Sequence, residues 1–308
     1  MIKKIFFDIT RCCNAKCVYC FTDSVSFKSE FSKKELEDSQ ILKLIDQTKA
    51  LEIPSISIGG GEPFLRDIPT IGSYASGKIK LSITSNGTIL NDKILDYLKN
   101  SETKLTISLD ATDQKISEKI RKGIDVNVCL KNIKLLAKNP EVRPRLSIRS
   151  VISSFNFDHI FEVIKFCNEN KIENLKINST NSFGRAKENP DVIPSFDKFV
   201  DLLDRIREYC QKNQIYTNVE LPISKYLTNS NSCLCGKTSI YIDSIGNVFP
   251  CAFTEGHLLW GNLKNETLAN ILNKNCDFSH QNSFCSKCPI NRYKDYNKNF
   301  SEYDKTKS

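Results

Sequence analysis

The chain has 308 residues, 40% hydrophobic and 26% charged, with a formal charge of +8. Its apolar share, with 18 Phe and 10 Tyr, excludes a disordered chain, and no apolar run approaches the roughly 18–20 residues that span a bilayer. Lys and Arg form no block of five or six and do not interleave with aromatics, so the basic excess reads as a solvated surface, with no nucleic-acid partner expected.

An apolar stretch of only three, Ile5-Phe6-Phe7, stands before the first acid, Asp8. A secretory signal needs about 7–15 apolar residues there, so a cytoplasmic protein without membrane contact is expected. Residues 5–10 predict a short apolar strand. Residues 33–51 place Leu36, Ile41, Leu44, Ile45 and Thr48 on one helical face. A buried strand at 55–58 ends in Gly59-Gly60-Gly61, which cannot continue it comfortably. Strands at 80–84 and 104–109 flank a helix at 91–100. A helix at 125–138, a strand at 145–152, a helix at 157–170, a strand at 175–178 and a helix at 195–214 complete the series. Six βα units imply parallel strands with right-handed crossovers.

Each strand ends in polar or glycine-rich residues, the rim on which a barrel-type sheet builds its active site. The expected fold class is therefore α/β, a partial (β/α)6 TIM-like barrel, spanning residues 1–222. From 223 to 308 the character changes. Strands at 238–242 and 247–250 flank Ser244-Ile245-Gly246 as a hairpin. A short helix at 263–274, a cysteine knuckle at 284–289 and a frayed charged tail at 291–308 follow. A cysteine-rich β-hairpin/helix domain of this size buries little core, so a metal staple is expected.

Thirteen cysteines in a chain without an export signal point to metal or redox chemistry over disulfides. Cys129, Cys167 and Cys210 fall inside helical patterns and read as small buried hydrophobes. Cys12, Cys13, Cys17 and Cys20 form a front group; Cys233, Cys235, Cys251, Cys276, Cys285 and Cys288 form a rear group. Cys13, Cys17 and Cys20, spaced C-x3-C-x2-C after a strand, can face one centre. Structural zinc takes four protein ligands, whereas three sulfurs suit a 4Fe–4S cube with one open iron. A zinc site borrowing Cys12 or a distant residue is the alternative. His159, His257 and His280 stand at no ligand spacing, and no catalytic acid or base is assigned.

The run Cys13-x3-Cys17-x-Tyr19-Cys20 resembles the signature of the radical S-adenosylmethionine (SAM) superfamily, including the aromatic Tyr19 before the third cysteine. Gly60-Gly61-Glu62-Pro63 is similar to the family's GGEP segment, which lines the methionine amino group of SAM. Glycines let backbone approach a ligand closely, and Glu62 supplies an acceptor for an ammonium. Ser85-Asn86-Gly87-Thr88 and Ser108-Leu109-Asp110-Ala111 resemble strand ends that reach SAM's ribose and carboxylate side. Arg149 and Gly184-Arg185-Ala186 resemble positions that approach SAM or substrate, with the direction of Arg149 set by strand register. The resemblance implies that SAM chelates the open iron. One electron from the cube then yields methionine and a 5′-deoxyadenosyl radical that abstracts a substrate hydrogen.

In the rear group, Cys235-x15-Cys251 and Cys285-x2-Cys288 bracket the hairpin and helix, and spacing alone leaves a zinc ribbon open. With Gly246 and Gly261-Asn262-Leu263 the pattern looks like a SPASM or shortened twitch extension. That resemblance implies an auxiliary 4Fe–4S cluster on Cys235, Cys251, Cys285 and Cys288, with Cys233 and Cys276 as substitutes. No cysteine follows Cys288, and Lys294 stands where a further ligand would, so one cluster, relaying electrons, is expected. The function implied is modification of a peptide, as in the maturation of ribosomally made natural products or of proteins. Dehydrogenation or rearrangement of a small molecule is the alternative, and a non-catalytic zinc-binding protein the alternative from another class. Partners implied are a reductant such as flavodoxin or ferredoxin and a separate leader-peptide recognition protein.

Overall fold

The computed structural model describes residues 1–221 and 235–276. Seven strands lie side by side in chain order: β1 (Lys4–Thr10), β2 (Ser55–Gly60), β3 (Lys80–Ser85), β4 (Lys104–Ser108), β5 (Leu146–Ile152), β6 (Asn174–Ser179) and β7 (Asn218–Glu220). All six pairings between them are parallel. The crossovers carry α1 (Asp38–Ala50), α2 (Ile68–Ala75), α3 (Asp92–Lys99), α4 (Gln114–Ile120), α5 (Val126–Lys138), α6 (Ile160–Glu169) and α7 (Phe196–Lys212).

Period-two alternation separates the two faces of this sheet. Ile56, Ile58, Leu81, Ile83, Leu105, Ile107, Ile148, Leu175 and Ile177 are buried in one core with helix residues such as Leu44, Ile71, Leu98, Ile133, Val163 and Leu203. The intervening Ser57, Ser82, Thr84, Thr106, Ser147, Arg149 and Lys176 are only half-buried and face the other, concave side. Among the described residues the sheet has two ends and does not close, giving the expected partial barrel.

The rear hairpin, β8 (Ser239–Ile242) and β9 (Asn247–Phe249), pairs antiparallel as expected. Its first strand, however, lies parallel against the outer edge of β1, and β10 (Gly261–Asn262) extends the sheet further. Ile240, Ile242, Val248 and Trp260, with Leu268 and Ile271 of α8 (Leu268–Lys274), join the barrel's own core. The Gln47 side chain of α1 accepts the Leu268 N–H at 2.7 Å. Sheet pairing and shared apolar burial thus anchor this segment, beyond any metal. The knuckle at 284–289, the tail at 291–308 and the second boundary region near 222 lie outside the described residues.

Several boundaries differ from the sequence reading. The helix expected from residue 33 starts at Asp38, because Glu37 and Gln40 form a capping box, leaving Glu35 to turn toward β1. The helix expected at 263–274 starts at Leu268, capped by Thr267. Helices α2 and α4 and strand β7 were not anticipated. In α2, Pro69, Gly72 and Ser73 hide the helical pattern, yet Gly72 is what lets the helix meet α3: a Cβ there would overlap the Tyr97 ring. Gly72→Ala is therefore expected to destabilise the fold by about 1–3 kcal/mol through overpacking, read as a lower denaturant midpoint despite alanine's better helix propensity. Cys129 and Cys167 are buried as expected, and Cys210 is half-buried. No helix among the described residues is long and apolar enough to cross a membrane.

Candidate active site

The front cysteines occupy a loop that leaves the C-terminal end of β1 and is tied down from every side. At its start, Thr10 Oγ1 donates to both Glu35 carboxylate oxygens (3.1 and 2.9 Å), and Arg11 N–H donates to Glu35 Oε1 at 2.6 Å. Lys16 and Cys17 pair antiparallel with Lys122 and Arg121, just after α4. On the far side, Arg185 donates through Nε to Asp23 Oδ1 (2.9 Å), through Nη1 to the Cys17 carbonyl (2.8 Å), and through Nη2 to the Ser24 carbonyl and hydroxyl. A Cβ on neighbouring Gly184 would overlap the Cys20 and Phe21 carbonyls. The Gly184-Arg185 pair, expected to approach SAM or substrate, spends its donors gripping the loop.

Cys13 is buried and Cys17 and Cys20 are half-buried. Backbone N–H groups already point at two of the sulfurs, Ala15 N at Cys13 Sγ and Ser24 N at Cys20 Sγ, both 3.4 Å. Burial pushes the Cys17 thiol up to about 11 and raises Cys13 as well, so iron binding would have to displace protons. Among the described residues no three His, Cys, Asp or Glu side chains are placed to hold a single metal ion. Tetrahedral zinc would need sulfurs converging within its ~2.3 Å bond length, whereas a cube takes each sulfur on a different iron. Three thiols on one loop, with amide donors aimed at two of the sulfurs, fit the cube.

The other predicted residues converge on the same loop. Glu62 N–H donates to the Cys12 carbonyl at 2.9 Å, and a Cβ on Gly61 would overlap that carbonyl, so only glycine lets the two segments meet. Glu62 itself is 0% exposed. Its carboxylate accepts from Phe64 N (3.0 Å), Ser85 Oγ (2.9 Å) and Asn86 N (2.7 Å), and burial raises its pKa. It therefore joins β2 to β3, in addition to any part in holding an ammonium. Asn86 Nδ2 donates to Asn14 Oδ1 at 2.7 Å, bringing the β3 end onto the loop. The Tyr19 hydroxyl donates to Asp110, which also accepts Val151 N at 2.8 Å. Burial raises the pKa of both partners.

Two cations face this arrangement. Arg149, on the concave face as its register requires, lies level with Ser108 on β4 and Lys176 on β6. Its Nε is a buried donor without a partner, and burial lowers the pKa of its guanidinium. Such an orphaned donor on a concave polar surface fits an anionic ligand group. Lys176 in turn pairs with Glu220 at 3.0 Å. Arg121, which the sequence reading missed, is 6% exposed. It donates to the Ser108 carbonyl and stands 3.9 Å from Asp110 Oδ2. Burial works against its charge, and the acidic groups around it, the Asp110 carboxylate among them, more than offset that and raise its pKa. The signal was present, a single Arg after Ile120 at a short helix's end, but nothing in the pattern said it was buried.

The rear segment meets this loop through aromatics. Phe21, next to Cys20, stacks on Phe183 at 4.7 Å, and Phe253, two residues after Cys251, packs edge-on against both at 5.0 and 5.2 Å. Cys251 precedes the turn Ala252–Thr254, and Cys235 bridges to Ser239 beside β8. Cys233, Cys285 and Cys288 lie outside the described residues.

Comparison with known proteins bears on all of this. The radical SAM superfamily model matches residues 7–167, and the SPASM iron-sulfur cluster-binding domain matches residues 233–289. The mycofactocin maturase MftC of Mycobacterium tuberculosis is 24% identical over 265 residues, covering 83% of this chain and 66% of that protein. A probable GTP 3′,8-cyclase of Methanothermobacter marburgensis is also 24% identical, over 82% of this chain and 84% of its own. The structure of Streptococcus suis SuiB bound to the precursor peptide SuiA superposes with a TM-score of 0.75 at 19% identity, covering 94% of this chain and 70% of SuiB. The expected cofactors, SAM, a 4Fe–4S cluster and an auxiliary cluster, agree with these matches, and the reading as a non-catalytic zinc protein gives way to that of an enzyme. The chain belongs to the radical SAM superfamily and carries a C-terminal SPASM iron–sulfur domain.

Proposed function

We propose that this enzyme modifies a peptide by radical chemistry. Cys13, Cys17 and Cys20 would hold three irons of a 4Fe–4S cluster and leave the fourth to SAM; Gly60, Gly61 and Glu62 would line the methionine end, and Ser85, Asn86, Ser108, Asp110 and Tyr19 the surrounding wall. When bound, the reduced cluster and SAM supply a radical able to remove hydrogen from an unactivated C–H bond. The protein's own residues do the rest. Arg149 Nε, unpaired and facing the concave side, binds a carboxylate. Arg185 and Glu35 fix the loop. The Phe21–Phe183–Phe253 cluster keeps water from the gap between the loop and Cys251. Cys235 and Cys251, with Cys285 and Cys288, would hold one auxiliary cluster that relays an electron.

The observation that carries the reading is the three-thiol loop with amide donors at two of its sulfurs, next to a glycine ledge. Peptide over small molecule is supported by the likeness to SuiB along 94% of the chain and by the relation to MftC. Anaerobically reconstituted protein is expected to be brown, to carry about eight irons, and to cleave SAM with dithionite. Changing Cys13, Cys17 and Cys20 together to Ala should abolish cleavage, and equal cleavage would overturn the assignment. Mass spectrometry of candidate precursor peptides incubated with the loaded enzyme and SAM decides the substrate. A mass change supports the reading, and turnover confined to nucleotides or other small molecules overturns the peptide part.

A further inference from the structure

Between the glycine ledge and the rear hairpin lies a buried acid that the proposed chemistry does not yet use. Asp8 sits on β1 between Phe7 and Ile9, both in the core, so it shares the opposite face with Phe6. Phe6 is 44% exposed, which shows that this face is not covered by helices. Asp8 lies level with Gly59 on β2, where a Cβ would stand 3.8 Å from Asp8 Oδ1. Its other oxygen, Oδ2, accepts the Tyr241 hydroxyl of β8 at 2.7 Å. That hydroxyl also reaches Glu255 Oε2 at 3.3 Å, and Glu255 Oε1 pairs with Arg11 at 2.8 Å. Among the described residues Asp8 Oδ1 accepts no hydrogen bond, and the β2 side offers only Gly59 and Gly60.

We propose that Asp8, Tyr241 and Glu255 form a proton-transfer site on the concave face, with Asp8 Oδ1 taking the proton of a hydroxyl, thiol or amide N–H next to the substrate carbon that reacts. In that step the X–H bond breaks, an O–H bond forms on Oδ1, and the electron pair stays on X, so no oxidant is needed. The single phenol proton of Tyr241 serves one carboxylate at a time. As Asp8 gains a proton, the hydroxyl can turn to Glu255, whose pKa burial raises and the paired Arg11 pulls back down. Burial pushes Asp8 up to about 7, opposed by the Tyr241 hydrogen bond and by Arg11 and reinforced by the charges of Glu255 and Asp243. A carboxyl poised there exchanges protons at working pH. The site rests on the proposed function only for the identity of its substrate.

Infrared difference titration of the iron-loaded protein tests this, with SAM as the probe. Wild type is expected to show a protonated-carboxyl band with a midpoint of about 7. Asp8→Asn should remove it, Tyr241→Phe should move its midpoint upward by about one pH unit, a tenfold gain in proton affinity, and saturating SAM should shift it. A band that survives Asp8→Asn, a midpoint below about 5, or indifference to SAM overturns the proposal. Should Asp8 titrate as expected while wild type fails to split SAM with dithionite, the functional reading falls and the proton site stands.

Discussion

Arg185→Lys is expected to cost the protein most of its front-loop iron and to lower SAM cleavage by about 100-fold or more. Arg185 is 9% exposed, and its planar fork reaches Asp23, the Cys17 carbonyl and Ser24 together. A lysine ammonium is a single point and cannot span these acceptors. The Ser24 carbonyl and hydroxyl would lose their Arg185 donor, and the Cys17 carbonyl would keep only the Cys20 N–H at 3.3 Å. A lost hydrogen bond to a charged donor costs about 1.5–3 kcal/mol where water cannot replace it, and these acceptors belong to the segment that carries Cys17 and Cys20. The loop would relax, and displacement of a reacting centre by about 1 Å is enough for a ~100-fold loss. Iron analysis, the electron paramagnetic resonance signal of the reduced protein and SAM cleavage together check this. Full iron content with unchanged cleavage would show that the grip is dispensable.

Arg121→Met should destabilise the protein by about 3–5 kcal/mol, because it removes one partner of a buried pair and leaves Asp110 without its cation. The deficit has a pH sign. Burial already holds the folded-state pKa of Asp110 above its ordinary value, and Arg121 opposes that rise. Without Arg121 the folded pKa climbs further, so the variant keeps its stability below the unfolded carboxylate range and loses it as pH rises through the folded value. Denaturation of the metal-free protein at pH 5 and pH 8 should therefore show the gap to wild type narrowing at the acidic end, and a gap independent of pH would separate Arg121 from Asp110. In loaded protein the same change removes a positive charge next to Cys17, which disfavours adding an electron, so the cluster's reduction potential should fall.

Much of this architecture is legible in the sequence. The strands read as Ile-rich runs because both alternate residues and helix faces bury apolar side chains, as Ile56 and Ile58 or Ile148 and Ile152 do. The cysteine spacing and the glycine run sit at strand ends, and short-range pattern is enough to place them there. Helix α2 was not legible, since proline, glycine and serine in eight residues outweigh its apolar face until the packing against Tyr97 is known. Nor was the partition of roles: Arg185 reads like a ligand-facing residue and is a clamp, while Asp110 and Glu62 are buried junctions between strands.

Local pattern determined the parallel βα series, the three-cysteine loop and the hairpin, because hydrophobic period, turn residues and ligand spacing are encoded within a few residues of one another. Only the tertiary structure decided that β8 would lie against β1, that Arg149 would face the concave side with an unpaired nitrogen, and that Asp8 would meet Tyr241 across 233 positions of chain. Those outcomes depend on which distant surfaces share a core and on where burial strips water from a charge. No window of sequence contains that information.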